Sequence, residues 1–434
     1  MKVFFSQYIQ RLLKDLSIKV LKKFNPGIIA ITGSNGKSST KEAIACVLQG
    51  KFSVLSSPGN YNTEIGVPLA ILERKIPRFF WLWPLTIVQC YLYSLFRRHY
   101  YQKVVLEMAA DKPGDIKYLT SFIKPEVSVL TSIGPSHLEL FKTIEAVAQE
   151  KRILLQRTRK NGFLCLNKDD PKVVKASQGL SQKIIWYGIG NKADVWASDI
   201  EQNLSGIKFN IHYQNDSLPI ILYNVLGKHL IYPALAAVAC GLIYKINLGK
   251  AIARLKTLKF PPGRMRIIEG IRESKIIDDS YNANPASMKS ALSTLMDLDK
   301  QKVIKRRKIG VLGTMNELGD YERKGHEEVG EEAAKILDYL ITVGKPANKY
   351  LAGRAIEKGL PTQNVFRFSR SVEAGQFLKK FIHDRDIILV KGSQNNVRTE
   401  WVVEQIMEHP EKAKDLLVRQ NPPWKKPKEL TMYN

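Results

Sequence analysis

The chain has 434 residues, 44% hydrophobic and 25% charged, which is ordinary for a soluble α/β protein and enough for two or three domains with sizeable cores. Its 67 lysines and arginines against 41 acids leave a formal charge of +26, which predicts attraction to something anionic: a nucleotide, a nucleic acid or an anionic membrane surface. No RNA-binding aromatic signature, zinc-finger spacing or helix-turn-helix is present, so no nucleic acid is expected as partner. The four scattered cysteines (Cys46, Cys90, Cys165, Cys240) form no CxxC or metal spacing and read as small buried hydrophobes in a reducing compartment.

Residues 1–24 hold a basic amphipathic helix, Val3 to Leu21, with Phe5, Ile9, Leu12 and Leu16 on one face. Arg11 and Lys14 interrupt its apolar residues and no small-residue cleavage site follows, so it is not read as a signal peptide. It either packs on its own domain or lies on a membrane surface. Next, Ile28–Thr32 is an apolar strand that runs into Gly33-Ser34-Asn35-Gly36-Lys37-Ser38-Ser39 and then a helix, Lys41 to Leu48. That order builds a phosphate cradle. The glycines let successive N–H groups point at one anion, and the helix adds its positive dipole end. Lys37 would reach the β- and γ-phosphates and Ser38 would hold Mg²⁺, so ATP is the expected nucleotide. Position 31 is Ile where the general phosphate-loop pattern wants Gly.

The loop Pro58–Leu69, rich in Asn and Gly, suits polar contacts to phosphate or substrate, with Asn60 as a candidate; a plain loop would explain it equally well. Phe79–Phe96 carries no charge over 18 residues and barely meets the length of a spanning helix. Pro84 interrupts it, basic residues flank both ends, and the phosphate loop and the next strand must share one side of any membrane. An interfacial helix, with Trp81, Trp83, Tyr91 and Tyr93 at headgroup level, or a helix pair covering its own domain, is expected instead. Further strands are expected at Val104–Glu107 and Val127–Ser132, with helices at Ile116–Phe122 and Ile144–Gln156. Glu107, at a strand's carboxyl end, suits a Mg²⁺ ligand. His137 lies just past another strand end, where α/β sheets place their sites. Lys151 alone would read as surface charge.

Short alternating runs over Ile184–Asn224 suggest small antiparallel strands, followed by a helix from about Tyr232 to Tyr244. Phe260-Pro261-Pro262-Gly263 marks a domain boundary. After it, strands at Ile276–Asp279, Lys308–Leu312, Tyr339–Val343 and Ile387–Val390 alternate with helices as a second, Rossmann-like unit. Arg264 could reach a phosphate by bidentate contacts. The run Asp278-Asp279-Ser280-Tyr281-Asn282-Ala283-Asn284-Pro285 is too polar for a strand end without a task, and Gly313–Gly319, His326 and Lys391-Gly392-Ser393 complete the polar clusters. The fold class expected is α/β: a mainly parallel sheet with helices on both faces and a small antiparallel sheet, then a C-terminal Rossmann-like domain.

The motifs TGSNGKSSTKE, GNYNTEIGVPL, LEMA, SIGPSHLE, AQEK, PGRM, DDSYNANPASM, GTMNELG and VKGS follow in this order over about residues 28–400. On them the chain resembles the Mur ligase family, and the run from Asp278 to Pro285 resembles the branch that adds D-alanyl-D-alanine to a muramoyl tripeptide. The resemblance implies that ATP phosphorylates a peptide carboxylate, an amine attacks the acyl phosphate, and phosphate leaves. It implies that Lys37 and Ser38 handle the γ-phosphate and a first metal, that Glu107 joins that metal, and that His137 helps hold a second Mg²⁺. Lys151 matches the lysine that is carbamylated in several members, where it can serve the metal site. Thr32 to Ser39, Asn60, Arg264, Asp279 and Asn282 match nucleotide-binding positions, the last three meeting adenine, ribose and phosphates across the domain junction. The C-terminal unit would carry the amine substrate and close on the middle domain.

The resulting domain reading is an N-terminal helix (1–24), a central ATP-binding domain (25–262) with an apolar insertion (75–101), a C-terminal ligase domain (263–420) and a mobile tail (421–434). The family's UDP-sugar-binding domain is not expected here, and Leu230 and Pro233 stand where the branch would have Asn. Partners implied are a muramoyl-peptide acceptor, on a nucleotide or a lipid, and D-Ala-D-Ala, with a monomeric enzyme in the cytoplasm touching the inner face of the membrane. Two other readings remain: a ligase making another amino-acid polymer, such as polyglutamate or cyanophycin, and a non-catalytic nucleotide-binding scaffold. The run from Asp279 to Pro285 argues against the first, and Lys37, Glu107, His137 and Lys151 together argue against the second.

Overall fold

The computed structural model describes residues 2–59, 61–136, 138–189, 193–300, 306–394 and 396–421; Asn60, His137 and the tail beyond 421 lie outside the described residues. The chain divides into two compact units: Met1–Asp199 with Phe209–Ile220 and Leu230–Lys259, and Ile200–Lys208 with Ile221–His229 and Phe260–Asn434.

The first unit opens with α1 (Lys2–Phe24), β1 (Gly27–Thr32) and α2 (Lys37–Leu48). There follow β2 (Val54–Ser56), α3 (Gly66–Ile71), α4 (Trp83–Phe96), β3 (Lys103–Glu107), α5 (Asp115–Thr120) and β4 (Val127–Leu130). Next come α6 (Leu138–Phe141), α7 (Ile144–Gln156), β5 (Phe163–Asn167), α8 (Pro171–Ser177) and β6 (Lys183–Ile189). The strands β7 (Val195–Asn203), β8 (Gly206–Tyr213) and β9 (Asp216–Tyr223) precede α9 (Ile231–Ile243) and α10 (Leu248–Leu255). The nine strands run in the order β2-β3-β1-β4-β5-β6-β7-β8-β9. β1 sits centrally, parallel to β3 on one side and β4 on the other. Its Ile-rich run is buried on both faces, as a parallel strand covered by helices requires. Side-chain caps start several helices: Thr143 accepts from the Ala146 N–H at 3.1 Å ahead of α7, and Asp170, with Pro171 after it, caps α8.

Three expectations are corrected here. The buried face of α1 is Ile9, Leu13, Leu16 and Val20, with Leu12 only half-buried, because the helical row recurs every three to four residues and continues to the helix end. Pro84 does not interrupt the apolar segment: a single 3₁₀ turn, Phe80–Leu82, leads into α4, and Pro84 stands in its first turn, where no intrahelical N–H bond is lost. The stretch read as small antiparallel strands forms β6 to β9, seven to nine residues each, which extend the large sheet, and the β6–β7 pair is parallel. The core of this unit joins α1 (Ile9, Leu13, Leu16, Val20) to β1 and β3 (Ile28, Ala30, Val104, Leu106) and to Cys90 and Tyr93 of α4. No helix among the described residues is long and apolar enough to cross a membrane.

The second unit contains β10 (Arg266–Glu269), β11 (Lys275–Asp279), α11 (Pro285–Lys300), β12 (Lys308–Gly313), α12 (Glu322–Ile336), β13 (Tyr339–Val343) and α13 (Ala352–Glu357). It ends with β14 (Val365–Phe368), α14 (Ser371–Phe381), β15 (Ile387–Lys391), α15 (Glu400–Ile406) and α16 (Ala413–Leu416). Its six strands lie in the order β10-β11-β15-β12-β13-β14, all parallel except the β10–β11 pair. The last strand in the chain is thus central, and its carboxyl end lies beside those of β11 and β12. The whole is a mixed α/β architecture with a large, mostly parallel sheet and a smaller second one.

Candidate active site

Parallel register puts the loops that follow β1, β3 and β4 at one edge of the first sheet: Ile31 pairs with Glu107 and Thr32 with Leu130. Gly33 adopts φ +154°, and a Cβ there would fall 1.9 Å from the Thr131 hydroxyl, so only glycine fits. Gly36 has φ +80° at the start of α2, an angle that a side chain resists. The loop is held from the β4 side. The Thr131 hydroxyl donates to Asn35 O at 2.6 Å, and the Asn35 N–H donates to Ser132 Oγ at 3.0 Å. Ser34 Oγ accepts from the Gly134 N–H at 2.9 Å and approaches Ser136 Oγ to 3.2 Å. Lys37 folds back, its ammonium donating to Gly33 O at 2.8 Å. The Thr32 hydroxyl is buried without a hydrogen-bond partner among the described residues, while Ser39 is buried in the first turn of α2.

Ser38 Oγ donates to Glu107 Oε2 at 2.8 Å, and Asn62 Nδ2 donates to Glu107 Oε1 at 3.1 Å. The Glu107 carboxylate, 3% exposed, is therefore aimed at the start of α2. A hydroxyl and a carboxylate in contact beside a phosphate cradle are the few hard oxygens that Mg²⁺ takes when phosphate oxygens supply the rest, so the residues present fit that ion. Among the described residues no three His, Cys, Asp or Glu side chains gather as a metal site.

Lys151 is fully buried on α7, and burial, reinforced by the positive charge of Lys37, pushes its ammonium down to about 7. Asp111 and Glu150 oppose that shift weakly. Glu150 is itself engaged, accepting from the Gly114 and Ile116 N–H groups at 3.0 and 2.8 Å. Sequence alone reads Lys151 as surface charge; α7's packing is what buries it. Another buried lysine was not singled out from the sequence: Lys41, on α2, donates to Ser57 O and, at 3.4 Å, to Gly59 O, bracing the loop that leads to position 60.

In the second unit Arg264, Asp279 and Asn282 surround Lys391. Asp279 Oδ2 pairs with Lys391 Nζ at 2.6 Å, its Oδ1 accepts from the Met265 N–H at 3.2 Å, and Lys391 also donates to Asn282 O at 2.9 Å. Asp279 and Lys391 are register partners on β11 and β15, which explains a contact spanning 112 positions. Arg264 stacks on Tyr281 at 3.9 Å, and its buried Nε has no hydrogen-bond partner among the described residues. Burial, together with Lys391 and Arg264, pushes the nearby His229 imidazole down to about 4 against the pull of Asp279, so it is neutral at physiological pH. Ser393 Oγ accepts from the Asn316 N–H at 2.9 Å and donates to Ala283 O at 3.2 Å, tying the loops after β11, β12 and β15 together. His326 is structural: its ring accepts from the Met315 N–H at 3.0 Å inside α12's packing.

Comparison with known proteins gives two family matches. The Mur ligase middle domain matches residues 31–77 and 87–241, and the Mur ligase glutamate ligase domain matches residues 263–394. The gap in the first match, 78–86, falls inside the segment read as inserted. The UDP-N-acetylmuramoyl-tripeptide–D-alanyl-D-alanine ligase of Bacillus subtilis is 29% identical over 92% of this chain and 79% of its own length. The enzyme of that name from Buchnera aphidicola is 32% identical over 90% of this chain and 77% of its own. Among solved structures, the MurF ligase of Thermotoga maritima in complex with ADP superposes with a TM-score of 0.77 at 26% identity, over 93% of this chain and 84% of the other.

Proposed function

The chain belongs to the Mur ligase family, and from that premise we propose how its residues carry out the reaction. It is an ATP-dependent amide ligase of peptidoglycan precursor synthesis, activating the terminal carboxylate of a muramoyl tripeptide as an acyl phosphate and joining it to D-Ala-D-Ala, with release of ADP and phosphate. The observation that supports the site assignment best is the Ser38–Glu107 contact at the foot of a glycine-shaped phosphate loop.

In this reading the N–H groups of Gly33 to Ser39 bind the nucleotide phosphates, and Lys37 leaves Gly33 O to neutralise charge on the transferred phosphoryl group. Ser38 and Glu107 would hold Mg²⁺, and His137 and Lys151 would serve a metal as well. The ion supplies charge neutralisation and orientation of the phosphates when bound. Burial makes much of Lys151 a neutral amine at neutral pH, the form that adds carbon dioxide and loses a proton to become a carbamate anion. Arg264, Asp279 and Asn282 are assigned to the nucleotide, with Asn60 as a further contact. The boundaries 1–24, 25–262 and 263–420 are proposed as the helix, central domain and ligase domain, working as a cytoplasmic monomer attached peripherally to the membrane. The exposed apolar face of α4 favours an acceptor peptide carried on a lipid rather than on a soluble nucleotide.

Phosphate release measured with ATP, D-Ala-D-Ala and a panel of muramoyl tripeptides tests the reading. Release that needs both the tripeptide and D-Ala-D-Ala is expected. Release with glutamate or aspartate polymers instead, or none with any acceptor, would overturn it.

A further inference from the structure

We propose that the outer face of α4 is an in-plane anchor that seats the first unit on an anionic lipid bilayer. This names the surface behind the peripheral attachment proposed above and stands independently of the ligase chemistry. Trp81, in the turn before α4, and Leu85, Val88, Leu92 and Leu95 recur every three to four residues, with Phe96 beside Leu95, and all are exposed, Trp81 and Phe96 by 70% and 72%. They form one continuous stripe, where a soluble monomer normally scatters its exposed hydrophobes singly. The opposite face is fully used: Thr86, Cys90, Tyr93 and Ser94 are buried, and Cys90 and Tyr93 share a core with Ile9, Leu13, Leu16 and Val20 of α1. The stripe is thus what remains after the helix has packed.

The helix is also tied to its neighbours, which lowers the ordering cost of docking. Lys23 of α1 donates to Leu95 O and Arg97 O, both at 2.9 Å, closing the last turn of α4. Glu73 accepts from Tyr93 and, at 2.8 Å, from Tyr101, and pairs with Arg97 at 3.2 Å.

Charge selects the occupant. No acid occurs from Arg74 through Leu106, while Lys75, Arg78, Arg97 and Arg98 bracket the helix in sequence and Lys19 and Lys23 flank it from α1. Arg78 lies over Phe79 at 5.3 Å and Lys19 over Tyr91 at 5.7 Å, at the borders of the stripe. An apolar stripe between two basic rims matches acyl chains bordered by anionic headgroups, to which each basic residue near the surface is drawn. At 14 residues α4 is about 21 Å long, short of the roughly 30 Å hydrocarbon thickness, so it lies in the plane.

The test is co-sedimentation of the full chain with vesicles of phosphatidylcholine alone and of equimolar phosphatidylcholine and phosphatidylglycerol. The parallel readout is phosphate release on a soluble acceptor without vesicles. Wild type should sediment with the anionic vesicles, and the variant L85S/V88S/L92S should bind at least about tenfold more weakly. R78E/R98E should lose the preference for phosphatidylglycerol. All three proteins should release phosphate at the same rate in solution. The proposal is overturned if wild type stays in the supernatant, if L85S/V88S/L92S binds as wild type does, or if the stripe proves to mediate a dimer that the serine variant dissociates while no vesicle is bound. Loss of phosphate release in wild type with vesicle binding intact would instead refute the ligase reading and leave the anchor standing.

Discussion

At the scale of single residues, the buried Asp278 carboxyl carries a pH-dependent cost. Burial pushes the Asp278 carboxyl up to about 6, helped by Asp279 and Glu400 and opposed by the Ser280 N–H at 3.1 Å, while its Oδ2 has no hydrogen-bond partner among the described residues. Between its ordinary value near 4 and about 6, the folded protein holds a proton that the unfolded chain has lost. Stability therefore falls as pH rises through that window, and above it the full penalty of a buried charge is present. Asp278→Asn should raise the Tm at about pH 8, with the gain vanishing near about pH 4. An equal gain at both pH values, measured by scanning calorimetry, would refute this account. Lys37→Ala should lower kcat/KM for phosphate release by about a hundredfold or more, since one charged donor to a developing phosphoryl transition state is worth that much; retained turnover would remove Lys37 from the site. The placement of Lys37 and Ser38 between β1 and α2 was legible in the sequence because it is local to one loop. Lys391 was only a motif member there, because its partner Asp279 is brought to it by the pairing of β11 with β15.

At the scale of elements, the turn from β1 to α2 shows how two glycines in one motif differ. Both were legible as residues of one strand-to-helix turn, but what sets Gly33 apart from Gly36 depends on the segment after β4, which arrives about 100 positions later. At Gly33 a methyl group collides with the Thr131 hydroxyl that holds Asn35. At Gly36 a methyl group meets nothing within 4 Å, and only φ +80° opposes it. Gly36→Ala should therefore cost about 1–2 kcal/mol of stability. Gly33→Ala should cost more and also displace the loop, so ADP affinity by titration calorimetry should fall at least about tenfold further than for Gly36→Ala. Equal losses would show that backbone angle alone governs the loop. The same lesson holds for α1. Its apolar periodicity was visible, yet the choice of Leu13 over Leu12 as the buried residue depended on where β1, β3 and α4 stand beneath it.

At the scale of the whole molecule, the alternation of strands and helices announced two α/β units with parallel sheets, since hydrophobic period and turn residues are local signals. Strand order was not legible, because the insertion of β15 between β11 and β12, and of β1 between β3 and β4, is a long-range choice. The charge was fully legible, and its consequence belongs to this scale. Ion pairs such as Arg323–Glu327 and Lys335–Glu332 are exposed and each contribute little, which salt screens. Set against them is the mutual repulsion of a +26 chain, which salt also screens and which acts over the entire surface. With so few acids to pair, repulsion outweighs the pairs, so screening should stabilise the fold. Raising ionic strength from about 0.01 to 0.15 M, which shortens the Debye length from roughly 30 to 8 Å, should raise the Tm by about 2–4 °C. A Tm that falls over the same range, followed by differential scanning fluorimetry in a non-binding salt such as sodium chloride, would show that the local pairs outweigh the excess charge.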